Sequence, residues 1–246
     1  METKKILFIS DSRGRDIKPL LNNSSEKPDN IVWEVQVIPG AKLEDILKRV
    51  ERGRRRNKWD QVVICAGICN VTNRVVKGGR RYLEYKNRQV EEICTQIDHI
   101  LDDIGIISHI CTITPAVIEL YSNVRDGDPE LQTEQQHLYQ DIETINNHII
   151  ERNIARDRTT IDLAKLSQIR SKKRQGSERK RIIKFNTKDV RDGVHPTPDL
   201  LQRWAHHINS KVRNILNKHE QTEDTETNES GESESESWNF KRPRRK

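Results

Sequence analysis

Ile6-Leu7-Phe8-Ile9-Ser10-Asp11-Ser12 is a short apolar run that stops in a polar turn. With Lys4 and Lys5 ahead of it, the run Lys4–Ser10 reads as a buried β-strand, being rich in β-branched and aromatic residues. The same grammar recurs downstream. Ile31–Ile38 is a second strand, stopped by Pro39-Gly40. Trp59–Ala66 is a third, almost wholly apolar at Val62-Val63-Ile64-Cys65 and ended by Gly67. Continuous apolar runs suit parallel strands covered on both faces. Ile106–Ile113, closed by Thr114-Pro115, and Thr159–Leu163 are the fourth and fifth.

Helical patterns separate the strands. A short helix fits 16–22. Leu43, Ile46, Leu47 and Val50 recur at helical spacing. Tyr82–Ile104 reads as a long helix with Val90, Ile93, Ile97, Ile100, Leu101 and Ile104 on one side. Glu134–Ala155 presents Leu138, Ile142, Ile145 and Ile149. The last helix is expected over Pro198–Leu216, with Thr197 as N-cap and Pro198 in the first turn. Strands alternating with helices predict an α/β fold, a three-layer α/β/α sandwich around a five-stranded, mostly parallel sheet.

Composition narrows the classes. Aromatics are 4% and charged residues 33%, so the core must be aliphatic. No apolar run approaches the roughly 18–20 residues of a membrane span, and the run after Met1 is too short for a signal-peptide core. The chain reads as intracellular, cytoplasmic or nuclear, and not secreted. Its four cysteines include no C-x-x-C pair and read as reduced, mostly buried thiols. The histidines are scattered, and adjacent His206 and His207 do not share a helix face. Gly78-Gly79 leads into Arg80-Arg81 rather than the Lys-Ser or Lys-Thr of a phosphate loop. Neither a metal nor a cofactor is expected.

Charge divides the chain. Residues 219–240 hold eight acidic residues and no Lys or Arg, and the last six residues hold five basic ones, leaving residues 1–218 at +9. The domain is therefore placed at 1–218. Within it, a basic stretch at about 167–184 without periodicity reads as an exposed insertion. Residues 219–246 read as a disordered acidic tail ending in the basic cluster Lys241–Lys246, which suits nuclear import or nucleic-acid contact.

In an open parallel sheet, ligands bind beyond the carboxyl ends of the strands. The polar turns predicted there are Ser10-Asp11-Ser12, Pro39-Gly40, Gly67–Asn70 and Asp192–His195. Their content and order resemble the four blocks of the SGNH (GDSL-type) hydrolases. Ile6–Ser12 resembles the first block, a strand ending in Gly-Asp-Ser, with Ser10 in the Gly place. Gly40 resembles the second-block glycine. Gly67-Ile68-Cys69-Asn70 resembles the third, usually Gly-x-Asn-Asp, and Asp192-Gly193-Val194-His195-Pro196 the last. The resemblance spans about residues 4–216 and implies a flavodoxin-like sheet and acyl transfer. Ser12 would be the nucleophile, His195 its base and Asp192 the orienting carboxylate. Ser12, Gly40 and Asn70 would supply the oxyanion hole. In strict register the third-block Asn is Cys69, a weak donor. Asn70 serves only if the loop shifts by one residue.

Two functions follow. One is an esterase or deacylase acting on a small or lipid-like acyl ester through Ser12 and His195. The other is a catalytically weak or inactive module on the same scaffold that binds RNA or DNA through Arg54, Arg55 and Arg56 and through Lys172, Lys173 and Arg174. SGNH-like domains are known that bind RNA, and others occur in retrotransposon-encoded first-reading-frame proteins.

Overall fold

The computed structural model describes residues 2–86, 90–102, 104–122, 129–175 and 178–229. In chain order its elements begin with β1 (Lys4–Ser10), α1 (Ile17–Asn23), β2 (Ile31–Val37), α2 (Leu43–Arg54) and β3 (Gln61–Cys65). Next come α3 (Ile68–Val71), β4 (Thr72–Lys77), β5 (Arg80–Tyr85), α4 (Val90–Asp102), β6 (Ile107–Ile110) and α5 (Ile118–Ser122). The last are α6 (Pro129–Ala155), β7 (Gln168–Gln175), β8 (Glu178–Phe185) and α7 (Pro198–Glu229).

The central sheet has the order β2-β1-β3-β6, and every pair in it is parallel. Successive side chains of a strand face opposite ways, so β1 feeds two cores. Leu7 and Ile9 pack with α2, α4 and α6 on one face. Ile6 and Phe8 pack with α1 and α7 on the other. Both faces are thus covered, the condition a parallel sheet requires. Trp33 crosses to α7, its indole N–H donating to Asn209 at 2.9 Å, while the Asn209 amide donates to the Leu21 carbonyl at 3.0 Å.

Four expectations change. The fifth strand shrinks to a single parallel bridge, Cys111 to Ile161. The Asp162 carboxylate takes hydrogen bonds from Thr112 Oγ1 (2.8 Å) and from the Lys165 N–H (3.2 Å), drawing the chain into a turn before a ladder can extend. The long helix expected over Tyr82–Ile104 begins only at Val90, because β4 and β5 form an antiparallel hairpin. Its turn is Gly78-Gly79, both at positive φ (56° and 75°), as a two-residue type I′ connection demands. The basic insertion is likewise a hairpin in its backbone, β7 against β8. Gly176-Ser177 between them is a hairpin signal that the density of charge obscured.

Finally, α7 continues past Leu216 to Glu229, into the acidic segment. No Gly or Pro occurs between Asp199 and Glu229 to stop it. Residues 230–246, including the basic cluster, lie outside the described residues. No helix among the described residues is long and apolar enough to cross a membrane.

Candidate active site

The site grows from the carboxyl end of β1. Ser10 ends the strand, and its carbonyl accepts from the Ile38 N–H at 2.8 Å, joining the turns after β1 and β2. The chain then makes one 3₁₀ turn, Ser12–Gly14. Gly14 permits that turn: a Cβ there would meet Ser10 Oγ at 2.0 Å and Phe8 Cε1 at 3.0 Å. The serine at position 10 therefore fits because position 14 has no side chain.

Asp11 and Arg13 lie beneath Ser12, at 0% and 2% exposure. The Asp11 carboxylate accepts from the Arg13 N–H (2.9 Å) and from its Nε (3.2 and 3.3 Å). Arg13 Nη1 donates to the Thr114 carbonyl (2.7 Å) and hydroxyl (3.1 Å). Burial works against the guanidinium charge, but the Asp11 carboxylate outweighs it and holds the Arg13 pKa above its ordinary value. The pair pins the Ser12 turn to the segment following β6. Removing one partner of a buried pair leaves the other charge uncompensated, so the two residues are needed together.

The opposite wall is the loop before α7. An antiparallel bridge joins Val190 to Pro196, and the Thr197 N–H donates to the Asp189 carbonyl at 2.8 Å. Gly193 (φ +79°) lies against the turn that starts α5. A Cβ there would come within 2.4 Å of the Val117 carbonyl and 2.6 Å of the Tyr121 nitrogen. The Val117 N–H donates to the Gly193 carbonyl at 2.6 Å. The loop is thus held at both its ends and its apex.

Within it, Asp192 Oδ1 accepts from the backbone N–H groups of Val194 (3.1 Å) and His195 (2.8 Å). Its Oδ2 lies 2.7 Å from His195 Nδ1. On the far side of the ring, His195 Nε2 is 3.1 Å from Ser12 Oγ. A carboxylate only accepts, so Nδ1 carries the proton and Nε2 is left to accept from the serine hydroxyl. Burial raises the Asp192 pKa. The hydrogen bonds from the His195 backbone and ring and from Val194 outweigh this and leave it below the usual carboxylate value. In front of Ser12 and His195 opens a cavity of about 260 Å³, with Leu20, Pro196, Pro198 and Leu201 as its apolar lining.

Structural neighbours share this architecture. The chain resembles a lipase/acylhydrolase from Enterococcus faecalis with a TM-score of 0.60 at 17% identity, over 87% of this chain and 97% of that one. A GDSL-like lipase from Bacteroides thetaiotaomicron gives 0.56 at 15% identity, over 88% and 89%. A carbohydrate acetylesterase from Sinorhizobium meliloti gives 0.54 at 11% identity, over 87% and 100%. The fold is that of the SGNH hydrolases. No family model matches the sequence, and no curated protein matches it.

Against the SGNH pattern, Ser12, Asp192 and His195 come together, and the third-block residues do not join them. Gly40 sits in its turn at φ +76° with open space where a Cβ would stand. Among the described residues neither the Ser12 nor the Gly40 N–H has a protein acceptor, so both remain available as donors. Asn70 is a correction. It is completely buried, and its amide is committed to the start of α2. Its Oδ1 accepts from the Leu43 N–H at 3.0 Å, and its Nδ2 donates to Glu44 (3.1 Å) and Gln96 (3.4 Å). Lys42, just before α2, has no side-chain acceptor, so Asn70 supplies that cap from the neighbouring loop. Cys69 is half-buried, and burial raises its thiol pKa, keeping it neutral.

The residues singled out for nucleic acid also separate. Arg54 donates to the Ile104 carbonyl, whereas Arg55 and Arg56 are exposed. Lys172, Lys173 and Arg174 are on β7, and their side chains lie outside the described residues. The Asp11–Arg13 pair and the Ser10–Gly14 contact were not anticipated. A charged residue directly after the serine of an apolar block was the available signal for the first.

Proposed function

We propose that the chain is a serine esterase acting on small acyl esters. The observation that carries this reading is His195 bridging the Ser12 hydroxyl and the Asp192 carboxylate at 3.1 and 2.7 Å. Ser12 Oγ attacks the ester carbonyl carbon as its proton passes to His195 Nε2. The carbonyl oxygen becomes an oxyanion facing the N–H groups of Ser12 and Gly40. His195 then protonates the departing alcohol oxygen as the C–O bond breaks, leaving an acyl-serine. Water repeats the sequence and releases the acid. Asp192 keeps the ring in the required tautomer and stabilises its charged form.

Among the described residues no third oxyanion donor joins Ser12 and Gly40, and loss of one donor typically costs on the order of 10²–10³ in rate. A slow enzyme is therefore expected. The size of the cavity favours a short acyl chain, in keeping with the neighbour described as a carbohydrate acetylesterase. Hydrolysis of 4-nitrophenyl acetate, butyrate and octanoate tests both points. The reading expects turnover that falls with chain length and vanishes in Ser12→Ala. Equal hydrolysis by wild type and Ser12→Ala contradicts it.

A further inference from the structure

A concavity larger than the one at Ser12 lies elsewhere among the described residues. It holds about 520 Å³ between the exposed side of α2 and the edge strand β2, and Arg49, Arg52, Arg55 and Arg56 line it. A second hollow of about 510 Å³ shares Gln36, Arg49 and Arg52 with it and adds Lys48, so the two form one groove. Two carboxylates, Glu51 and Asp45, face the same surface, leaving a clear cationic excess.

The groove is built rather than incidental. Gly53 brings α2 down onto Trp59, whose ring would be only 2.2 Å from a Cβ at that position. The Gly53 carbonyl then accepts from the N–H groups of Arg56 (2.9 Å) and Asn57 (2.8 Å), fixing the turn that carries Arg55 and Arg56. Gln36 Oε1 holds Arg49 through its Nε at 3.0 Å, leaving both terminal amino groups of that guanidinium unengaged. Among the described residues, the side chains of Arg52, Arg55 and Arg56 have no ion pair or hydrogen bond. Arg52 complements the negative end of the helix, but that explains neither Arg49 nor the concavity.

We propose that this groove binds the phosphate backbone of a nucleic-acid strand. Lys48/Arg49, Arg52 and Arg55/Arg56 succeed one another at three- to four-residue intervals, about one helical turn or ~5.4 Å apart. A row of cations suits a linear polyanion better than one isolated phosphate. Guanidinium forks fit phosphate oxygens in pairs. A concave row cannot lie flat on a lipid surface. No aromatic side chain lines the groove, so bases find no stacking platform and binding is tolerant of sequence. The groove runs along the outside of α2 from the carboxyl end of β2 to the turn before β3, shares no lining residue with the cavity at Ser12, and does not depend on the esterase reading.

The test uses the full chain and a fluorescein-labelled 20-nucleotide oligouridylate, followed by anisotropy at several salt concentrations. Four phosphates neutralised in the groove contribute about −2.8 to the slope of log affinity against log salt, or roughly 50-fold between 50 and 200 mM. The other basic segments add to the wild-type slope, so the difference between variants is decisive. R52Q/R55Q/R56Q is expected to flatten the slope by about 2 and to weaken binding at least ~10-fold at 50 mM salt. R52K/R55K/R56K is expected to retain the slope, and circular dichroism checks that both fold. An unchanged slope and affinity in the glutamine variant overturns the proposal. So does wild type that fails to bind the strand, or that binds phosphatidylserine vesicles in its place.

Discussion

Asn70→Ala separates a capping role from a catalytic one. In the wild type the Asn70 amide closes three hydrogen bonds and has no exposure. The alanine leaves the Leu43 N–H without an acceptor inside the fold. An unsatisfied buried donor costs roughly 1–3 kcal/mol. Glu44 and Gln96 are only partly buried, so water satisfies them and they add little. With about 2 kcal/mol lost, and ~2–4 °C per kcal/mol in a chain of this size, the thermal midpoint should fall by roughly 4–8 °C. Below that midpoint, kcat/KM for 4-nitrophenyl acetate should stay within threefold of wild type. An oxyanion donor behaves in the opposite way, with little change in stability and a rate loss of about 10²–10³. Asn70→Asp should be worse than alanine for stability, because it sets a second carboxylate against Glu44. A hundredfold loss of kcat with an unchanged midpoint in Asn70→Ala would refute the capping assignment.

Other expectations follow from the same geometry. Asp192→Asn removes a charge-assisted hydrogen bond to the ring, of about 1.5–3 kcal/mol, so kcat/KM should fall by roughly 10–150-fold; a change under twofold contradicts the orienting role. The Asp192 pKa is lowered in the fold. Its contribution to stability is therefore complete above the ordinary carboxylate value near 3.9 and is lost as pH falls through the lower folded value. Thermal midpoints measured from pH 7 to pH 3 should show a smaller acid loss in Asp192→Asn than in wild type. Gly14→Ala drives a methyl group into Ser10 Oγ, an overpacking that typically costs about 1–3 kcal/mol. Chemical denaturation should show that loss, and Ser10→Gly combined with Gly14→Ala should recover part of it.

The sequence made the layered plan legible because the plan rests on period and punctuation. Val62-Val63-Ile64-Cys65 cannot be half-exposed, and Leu43, Ile46 and Val50 can share a helix face only at helical spacing. Tyr82–Tyr85 reads as helix in the sequence because the stripe from Val90 onward is so regular that its pattern extends backward across a hairpin. The two glycines at 78 and 79 marked the true turn. The basic hairpin is hidden by its charges, and the fifth strand is over-read because the carboxylate at position 162 bends the chain after a single bridge. Ser12, Asp192 and His195 were legible from their order and from the ends of the elements that carry them. Asn70 was not, because which loop caps a helix is decided by tertiary packing. The arginine groove was readable only as a basic stretch: its depth depends on Gly53 seating α2 on Trp59, and Arg54, in the middle of the stretch, turns away to Ile104.

The central claim is that Ser12 is activated by His195. The most direct test is labelling of the folded chain with a fluorophosphonate probe, comparing wild type with Ser12→Ala and His195→Ala. The account expects wild type to be labelled and both variants to be silent. No labelling of folded wild type, or undiminished labelling of Ser12→Ala, would contradict it.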